Sequence, residues 1–141
     1  MKVVLDSNVI LAALGTRGLC EAVMALSLEQ HEVALSEPIL AEVAKHLAGK
    51  FKVPAARVRE IEGFLREHAA IVDPVDVPAS DCRDPDDCLI LGTAIAAAAH
   101  CLVTGDNDLL DLKQFHAIKI LSPRSFYERF VDDAVRGSTR P

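Results

Sequence analysis

Residues 84–106, DPDDCLILGTAIAAAAHCLVTGD, decide the fold because one long apolar segment lies between two acidic ends. At the first end an aspartate precedes a proline, which suits a helix cap and a first turn. A helix is therefore predicted from Asp84 to about Ala99. The short apolar run that follows predicts a buried strand at Cys101–Thr104, and the glycine and polar residues at 105–108 predict a turn.

The same segment has to be distinguished from a membrane span. Residues 88–105 contain no Asp, Glu, Lys or Arg, and their length is marginal for a spanning helix. However, His100 interrupts the segment, its core is rich in alanine, and Asp87 and Asp106 close it at both ends. We therefore expect a buried helix and a buried strand, and no membrane association.

Short apolar runs alternate with helical patterns along the rest of the chain. Strands are predicted at Lys2–Leu5, Val33–Leu35, Ile71–Val72 and Ile118–Leu121. Helices are predicted at Val9–Leu14, Leu19–Leu28, from Ser36 to Gly49, from Pro54 to about Ala69, and from Ser122-Pro123 to about Phe130. The segment 73–84 is predicted to be a loop. This alternation predicts a three-layer α/β/α domain with a central, mainly parallel, Rossmann-like sheet.

The composition fits one globular domain, with 141 residues of which 50% are hydrophobic and 26% charged. Residues 1–132 are predicted to form this domain and residues 133–141 a flexible tail. The formal net charge of −6 does not favour nucleic-acid binding by phosphate neutralisation alone. If the ligand is a polyanion, a bound metal or a local basic patch must hold it.

The cysteines and the N-terminus indicate the compartment. The four cysteines have no CxxC spacing, and Asp6 interrupts the first apolar run too early for a secretory signal. We therefore expect a cytoplasmic protein with reduced, mostly buried thiols. These thiols belong to Cys20, Cys82, Cys88 and Cys101.

Acidic residues follow two of the predicted strands directly. Asp6 comes after Leu5, and Asp106 and Asp108 lie in the turn after Cys101–Thr104. Each has a purely structural explanation, because aspartate caps helices and stabilises turns. In parallel sheets, however, functional sites lie at the carboxyl ends of strands, so two such ends in aspartate are a functional clue.

Two further acidic features lie on predicted helices. Asp84, Asp86 and Asp87 crowd one helix start, where three carboxylates repel one another unless a cation binds. Glu42 lies at the edge of an apolar stripe, where it could equally pair with Lys45 or His46. Taken together, these acids predict a site for a hard divalent cation, which prefers oxygen ligands.

With these acids in place, the sequence resembles the PIN domain family over the range from Lys2 to about Phe130. The matching stretches are VVLDSNVILAAL, EPILAEVAKHL and RDPDDCLILGTAIAAAAHCLVTGDNDLLDL, in the family's order and spacing. Within that family the chain looks most like toxin components of toxin–antitoxin systems, relatives of the VapC-type toxins. The resemblance implies a PIN-like fold.

The resemblance also implies the site residues. Those that match the family's catalytic acids are Asp6, Glu42, Asp87 and Asp106. The implied metal ligands are Asp6, Asp87, Asp106 and the auxiliary Asp108, with supporting polar residues at Ser7, Asn8 and Thr104. Asp84 and Asp86 fall outside the ligand positions and are interpreted as capping residues.

The implied activity is Mg²⁺- or Mn²⁺-dependent endonucleolytic cleavage of single-stranded RNA by a metal-activated water. The implied partners are a small antitoxin protein and a second copy of the chain. Basic residues are the candidates for binding RNA, although each could simply lie on a solvated face; they are Arg17, Lys45 and Arg83, followed by Lys50, Lys52, Arg124 and Arg136. The five histidines form no HxH or HExxH pattern and are predicted to be surface or core residues.

Two alternatives remain open at this point. A haloacid-dehalogenase-like phosphatase also has an aspartate after its first strand, but its motif needs a second acid two residues later, where this chain has Asn8. The other alternative is a PIN-like protein that binds a partner without catalysis. The presence of all four acids argues against a decayed site but does not demonstrate turnover.

Overall fold

The computed structural model describes residues 1–130. Its strands are β1 (Lys2–Leu5), β2 (Glu32–Leu35), β3 (Ala70–Ile71), β4 (Cys101–Val103), β5 (Gln114–Phe115) and β6 (Ile118–Leu121). Its helices are α1 (Ser7–Gly15), α2 (Leu19–Gln30), α3 (Glu37–Gly49), α4 (Ala55–His68), α5 (Pro85–Ala96) and α6 (Asn107–Leu110), and a further helix, α7, occupies residues 123–130.

The six strands form one sheet in the order β3-β2-β1-β4-β6-β5. All neighbours are parallel except β5, which pairs with β6 in the antiparallel direction. The central strand β1 lies between β2 and β4, and Leu5 is paired with Val103. Because these two residues end their strands, the residues that follow β1 and β4 lie side by side at the carboxyl edge of the sheet.

The helices form two layers around this sheet. From β1 the chain moves outward to β2 and β3 through the pairs α1–α2 and α3–α4, and α5 then returns it across the sheet to β4. Because parallel crossovers are right-handed, connections that run in opposite directions lie on opposite faces. The predicted α/β/α architecture with a mainly parallel sheet is therefore confirmed.

The core is the apolar interior between these layers. The sheet contributes fully buried residues such as Val3, Val4 and Leu102, and α7 contributes Phe126. Strands buried on both faces are expected to be continuously apolar, as the residues Val3–Leu5 of β1 and the sequence CLV of β4 are. Most of the segment at 88–105 belongs to this interior, as predicted, but Leu89 is 41% exposed, and Ala98 and His100 are also exposed.

Most predicted elements are confirmed, with differences at their ends. Helix α5 ends at Ala96 rather than near Ala99, because the chain turns there and Ala98 takes a left-handed conformation (φ 51°). Strand β3 is Ala70–Ile71, one residue earlier than predicted. The predicted turn at 105–108 is in fact the start of the short helix α6, and β5 was not predicted.

The prediction of mostly buried thiols is wrong. Only Cys101, in β4, is buried, whereas Cys20, Cys82 and Cys88 are half-buried free thiols. The physical reason is position: Cys82 lies in the loop before α5, and Cys88 lies in the first turns of α5, facing that loop. Cys20 is in the first turn of α2 and is not among the buried residues of that helix.

Among residues 1–130, no single helix is long and apolar enough to cross a membrane. The consecutive helices α1 and α2 satisfy that test only as a pair, and they are bent by 111° at the break between them. The predicted tail at 133–141, and the candidate RNA contact Arg136 within it, lie outside the described residues.

Candidate functional site

Asp6 lies at the carboxyl end of β1 and is held there by four donors. Its Oδ1 accepts hydrogen bonds from the Ser7 backbone N–H (2.7 Å) and hydroxyl (3.3 Å). Its Oδ2 accepts from the Thr104 hydroxyl (2.8 Å) and the Asn8 amide (3.3 Å). With 5% of its surface exposed, Asp6 is buried, and these donors compensate the carboxylate for the water it has lost. Asp6 also caps α1, so its structural and candidate functional roles coincide.

Asn8 and Thr104 connect the ends of β1 and β4. The Asn8 side-chain oxygen accepts a hydrogen bond from the Gly105 N–H (3.0 Å), while its amide group donates to Asp6. The Thr104 hydroxyl donates to Asp6 and accepts from the Asp106 N–H (3.0 Å). The three polar residues named from the sequence therefore all contact Asp6, and two of them fix the chain that carries Asp106.

Three more carboxylates lie next to this pair of strand ends. Asp87, Asp106 and Asp108 each place one carboxylate oxygen so that all three lie within 4.8 Å of one another. Asp87 projects from the first turn of α5 and is 8% exposed, whereas Asp106 caps α6 and Asp108 is exposed in its first turn. The unpredicted helix α6 thus positions two of the predicted acids.

The electrostatic state of Asp87 reflects this crowding. Burial, followed by the charge of Asp106 and its hydrogen bond, raises the pKa of Asp87 from 3.8 to about 7, and Asp84 and Asp6 add to the effect. Burial also raises the pKa of Asp6, although the hydrogen bonds from Thr104 and Ser7 oppose the rise. Without a cation, the cluster therefore holds a proton more readily than separate carboxylates would.

The donor set fits a hard divalent cation. All the candidate ligand atoms are carboxylate oxygens, which Mg²⁺ and Mn²⁺ prefer. A Mg²⁺ ion holds its ligands at about 2.1 Å, so opposite ligands lie about 4 Å apart. The oxygens of Asp87, Asp106 and Asp108, within 4.8 Å of one another, are close enough to share one such ion, and a bound cation would offset the burial and repulsion that raise the pKa of Asp87.

Glu42 lies across a cleft from these aspartates, on α3. The cleft has a volume of about 300 Å³, and its walls include Asp6, Asp87, Asp106 and Glu42. The Glu42 side chain is 43% exposed and its Oε1 lies 3.3 Å from His46 Nδ1. The structure therefore brings the four predicted catalytic acids to one cleft. Glu42 also pairs with His46, which is the purely structural role that the sequence suggested for it.

Comparison with protein families agrees with the sequence resemblance. The sequence profile of the PIN domain family matches residues 2–108. The chain belongs to the PIN domain family. No curated protein sequence matches the chain.

Solved structures show the same fold at low sequence identity. The chain resembles VapBC2 from Rickettsia felis, which was solved bound to a DNA fragment from its promoter. The match has a TM-score of 0.60 and 19% identity, and it covers 86% of this chain and 98% of that chain. It also resembles VapBC-1 from nontypeable Haemophilus influenzae (TM-score 0.62, 18% identity, 88% and 99% covered). At these identities the likeness establishes a shared fold.

His46 is a cleft residue of this PIN domain that the sequence analysis did not single out. It lines the cleft beside Glu42, and its ring Nδ1 also lies 2.9 Å from the Glu42 carbonyl oxygen. The spacing of four residues along one helix was the available signal, because side chains so spaced are neighbours. The absence of an HxH or HExxH pattern hid it, since that test detects only metal sites built from several histidines.

Asp84 caps α5 as predicted, whereas Asp86, also interpreted as a capping residue, lies in the first turn of the helix. Asp84 caps α5 by accepting a hydrogen bond from the Asp86 N–H (2.9 Å). Both residues nevertheless line the cleft, and the charge of Asp84 contributes to the raised pKa of Asp87. They therefore add to the negative field of the PIN-domain site.

The basic residues are distributed unevenly around this site. Arg83 lines a second cleft beside Asp87, whereas Arg17 and Lys45 are exposed and line neither cleft. Arg124 lies on α7 and pairs with Glu128 (3.7 Å). The structure thus places one of the three principal RNA-binding candidates next to the acids.

Proposed function

We propose that this PIN domain is a Mg²⁺- or Mn²⁺-dependent endoribonuclease that hydrolyses phosphodiester bonds in single-stranded RNA. One observation carries the proposal: buried Asp6 and Asp87 lie with Asp106 and Glu42 in one cleft at the carboxyl edge of the sheet. Burying so many acids together is unfavourable for folding, and the raised pKa of Asp87 expresses that cost. A functional requirement for bound metal explains why the chain retains it.

Within this proposal Asp6, Asp87 and Asp106 hold the cation, with Asp108 as an auxiliary ligand. A bound divalent ion supplies a water of lowered pKa and stabilises negative charge on the phosphate. The hydrogen bonds from Ser7, Asn8 and Thr104 keep Asp6 in a fixed orientation, so that it needs no reorganisation during the reaction. Asp6 and Asp106 are held in register because Thr104 bonds to both segments.

Glu42 orients the attacking water or accepts its proton from the opposite wall of the cleft. His46, 3.3 Å away, limits the rotation of the Glu42 side chain. The water oxygen forms a bond to phosphorus, and the bond from phosphorus to the 3′ oxygen breaks. The departing oxygen takes up a proton, so the products are a 5′-phosphate and a 3′-hydroxyl.

The proposed biological role is that of a cytoplasmic toxin in a toxin–antitoxin pair, acting as a homodimer and inhibited by a small antitoxin. It is supported by the sequence resemblance to VapC-type toxins and by two structural neighbours that bear the VapBC name. Expression of the chain alone in bacteria should arrest growth, and co-expression with the product of an adjacent small reading frame should restore it. Unimpaired growth at high expression, with active enzyme recovered from the cells, would contradict the toxin role but not the nuclease.

The nuclease is tested by cleavage of a single-stranded RNA oligonucleotide with Mn²⁺. Asp6→Asn and Asp87→Asn proteins, shown by circular dichroism to be folded, should lose activity at least 100-fold, roughly the effect of removing a preorganised catalytic group. Asp86→Asn is the matched control, because this exposed acid lies in the same helical turn but is not an assigned ligand. Equal cleavage by all four proteins would indicate a contaminating nuclease, whereas RNA binding without cleavage would support the non-catalytic alternative.

A further inference from the structure

A second cleft lies on the other side of Asp87 from the one already described. It has a volume of about 380 Å³ and is formed by the loop before α5 together with α6 and the residues after it. Asp84 and Asp87 line both clefts. The two clefts therefore meet at the acid that is central to the candidate site, and together they form a trough open on both sides of it.

The two halves of this trough differ in charge. Among the described residues, the walls of the first cleft contain six acids and His46 but no Lys or Arg, whereas the second cleft contains Arg83 beside four acids, namely Asp81, Asp84, Asp87 and Asp108. Within residues 1–130, Arg83 forms no ion pair shorter than 4.0 Å with the surrounding acids, unlike Arg66, which binds both Glu37 and Glu62. The exposed guanidinium of Arg83 thus remains available to a ligand.

The floor of the second cleft is suited to a nucleotide as well as to its phosphate. Leu109 and Leu112 from α6 and the following turn line it, and Leu112 is 39% exposed. An arginine beside an apolar surface can bind a phosphate in the fork of its guanidinium and stack its plane on an unpaired base. Neither cleft is lined by Phe, Tyr or Trp from the described part of the chain, so Arg83 and His46 are the planar side chains available for such stacking at the site.

The loop that carries Arg83 is attached to α5. The Val75 N–H donates to the Gly92 carbonyl (3.1 Å), and a Cβ at Gly92 would collide with the Val75 carbonyl oxygen, so the loop packs directly against the helix backbone. At the other end of the loop, Asp84 caps α5. Arg83 is therefore held one residue from the helix cap, at a defined position relative to Asp87.

We propose that the second cleft is a subsite for the nucleotides on one side of the scissile bond, with Arg83 binding the phosphate next to the one that is cleaved. The inference rests on the proposed nuclease function, which it deepens by assigning a direction to the substrate: single-stranded RNA enters through one cleft, crosses Asp87 and leaves past Arg83.

The test measures RNA binding by Arg83→Ala and Arg83→Lys in the Asp6→Asn background, where the RNA stays intact. Fluorescence anisotropy should give a dissociation constant about 10-fold higher for Arg83→Ala, with a smaller loss for Arg83→Lys because lysine keeps the charge but not the planar fork. The slope of log K against log [salt] should decrease in magnitude by about 0.7, the contribution of one phosphate contact on a single strand. Arg17→Ala is the matched control, since Arg17 is exposed but lines neither cleft.

Truncated oligonucleotides then test the location of the contact. The Arg83→Ala penalty should disappear when the RNA lacks nucleotides on one side of the scissile bond, and persist when it lacks those on the other side. A penalty that is the same for both truncations, or no larger than that of Arg17→Ala, would overturn the subsite. With Asp6 intact, the thermal shift on adding Mn²⁺ should be the same for Arg83→Ala as for the wild-type protein, which shows that the substitution leaves the acidic site intact. Because the anisotropy assay measures binding alone, absence of cleavage by the wild-type protein would refute the nuclease and leave the contribution of Arg83 to RNA binding still measurable.

Discussion

The Asp87→Asn substitution should stabilise the metal-free protein at neutral pH, although the same change should abolish nuclease activity. Burial and the neighbouring acids raise the pKa of Asp87 from 3.8 to about 7 in the folded protein. Between these pH values the folded protein retains a proton that the unfolded chain releases, so the free energy of unfolding falls as pH rises. The destabilisation is absent below about pH 4 and complete above about pH 7.

The magnitude follows from the size of the shift. A rise from 3.8 to about 7 is about 3 pH units, and at about 1.4 kcal/mol per unit the ionised carboxylate costs the folded protein about 4 kcal/mol. The amide that replaces it is uncharged at every pH, and it leaves water at about the cost that the protonated carboxyl group also pays, about 2 kcal/mol. The variant should therefore be more stable than wild type by about 4 kcal/mol at pH 8 and of similar stability at pH 4.

Urea denaturation in EDTA, followed by circular dichroism at several pH values, measures this difference. Asp86→Asn is the control, since it neutralises an exposed acid in the same turn, and its effect should stay within about 1 kcal/mol at each pH. Adding Mn²⁺ at pH 8 should then stabilise wild type more than Asp87→Asn. If the difference between Asp87→Asn and wild type does not move in favour of the variant as pH rises, the electrostatic account of Asp87 is wrong.

Three further substitutions test how the fold holds the site. Gly92→Ala should lower the free energy of unfolding by about 2 kcal/mol, as overpacking does, because the new methyl group meets the Val75 carbonyl oxygen; thermal denaturation measures it. Thr93→Val removes the buried 2.7 Å hydrogen bond to Ser36 that joins α3 to α5. We expect the free energy of unfolding to fall by about 2 kcal/mol and kcat to fall as well. Thr93→Ser should largely retain the stability and the kcat of the wild-type protein. Phe126→Ala should cost about 4 kcal/mol in urea denaturation, because this side chain is fully buried against the sheet.

The fold was largely predictable because its signals are local. The strand KVVL is apolar and buried after Lys2, and Asp6 and Asp84 cap the helices that the sequence indicated. The elements that were missed are those held by neighbours rather than by their own pattern. Helix α6 is four residues long, and β5 is two residues that pair only with β6, so neither has a periodicity to detect.

The site was predictable to the extent that its residues follow strands or open helices. The sequence indicated which acids should converge, since Asp6 and Asp106 follow neighbouring parallel strands. It did not indicate that Arg83, alone among the principal basic candidates, lies beside them, nor that His46 faces the same cleft. Those facts depend on how the loop before α5 and the face of α3 are oriented, and both orientations are set by long-range packing.

Asp6 and Asp87 are both buried carboxylates, but the fold compensates them differently. Asp6 accepts hydrogen bonds at both oxygens from groups that the chain itself supplies, so its position is set before any ligand binds. Asp87, by contrast, accepts no hydrogen bond from a backbone N–H or hydroxyl within residues 1–130, and its neighbours are other acids that raise its pKa.

This difference bears on how a chain of net charge −6 could act on a polyanion. A cation bound between Asp87 and Asp106 would supply the compensation that Asp87 lacks, and would also make the field that a phosphate meets less negative. Metal binding and RNA binding should therefore strengthen each other. Without the metal the acids repel the RNA phosphates, and without the RNA the metal lacks the phosphate oxygens as partners. Arg83 would offer the adjacent phosphate a positive charge that does not depend on the metal.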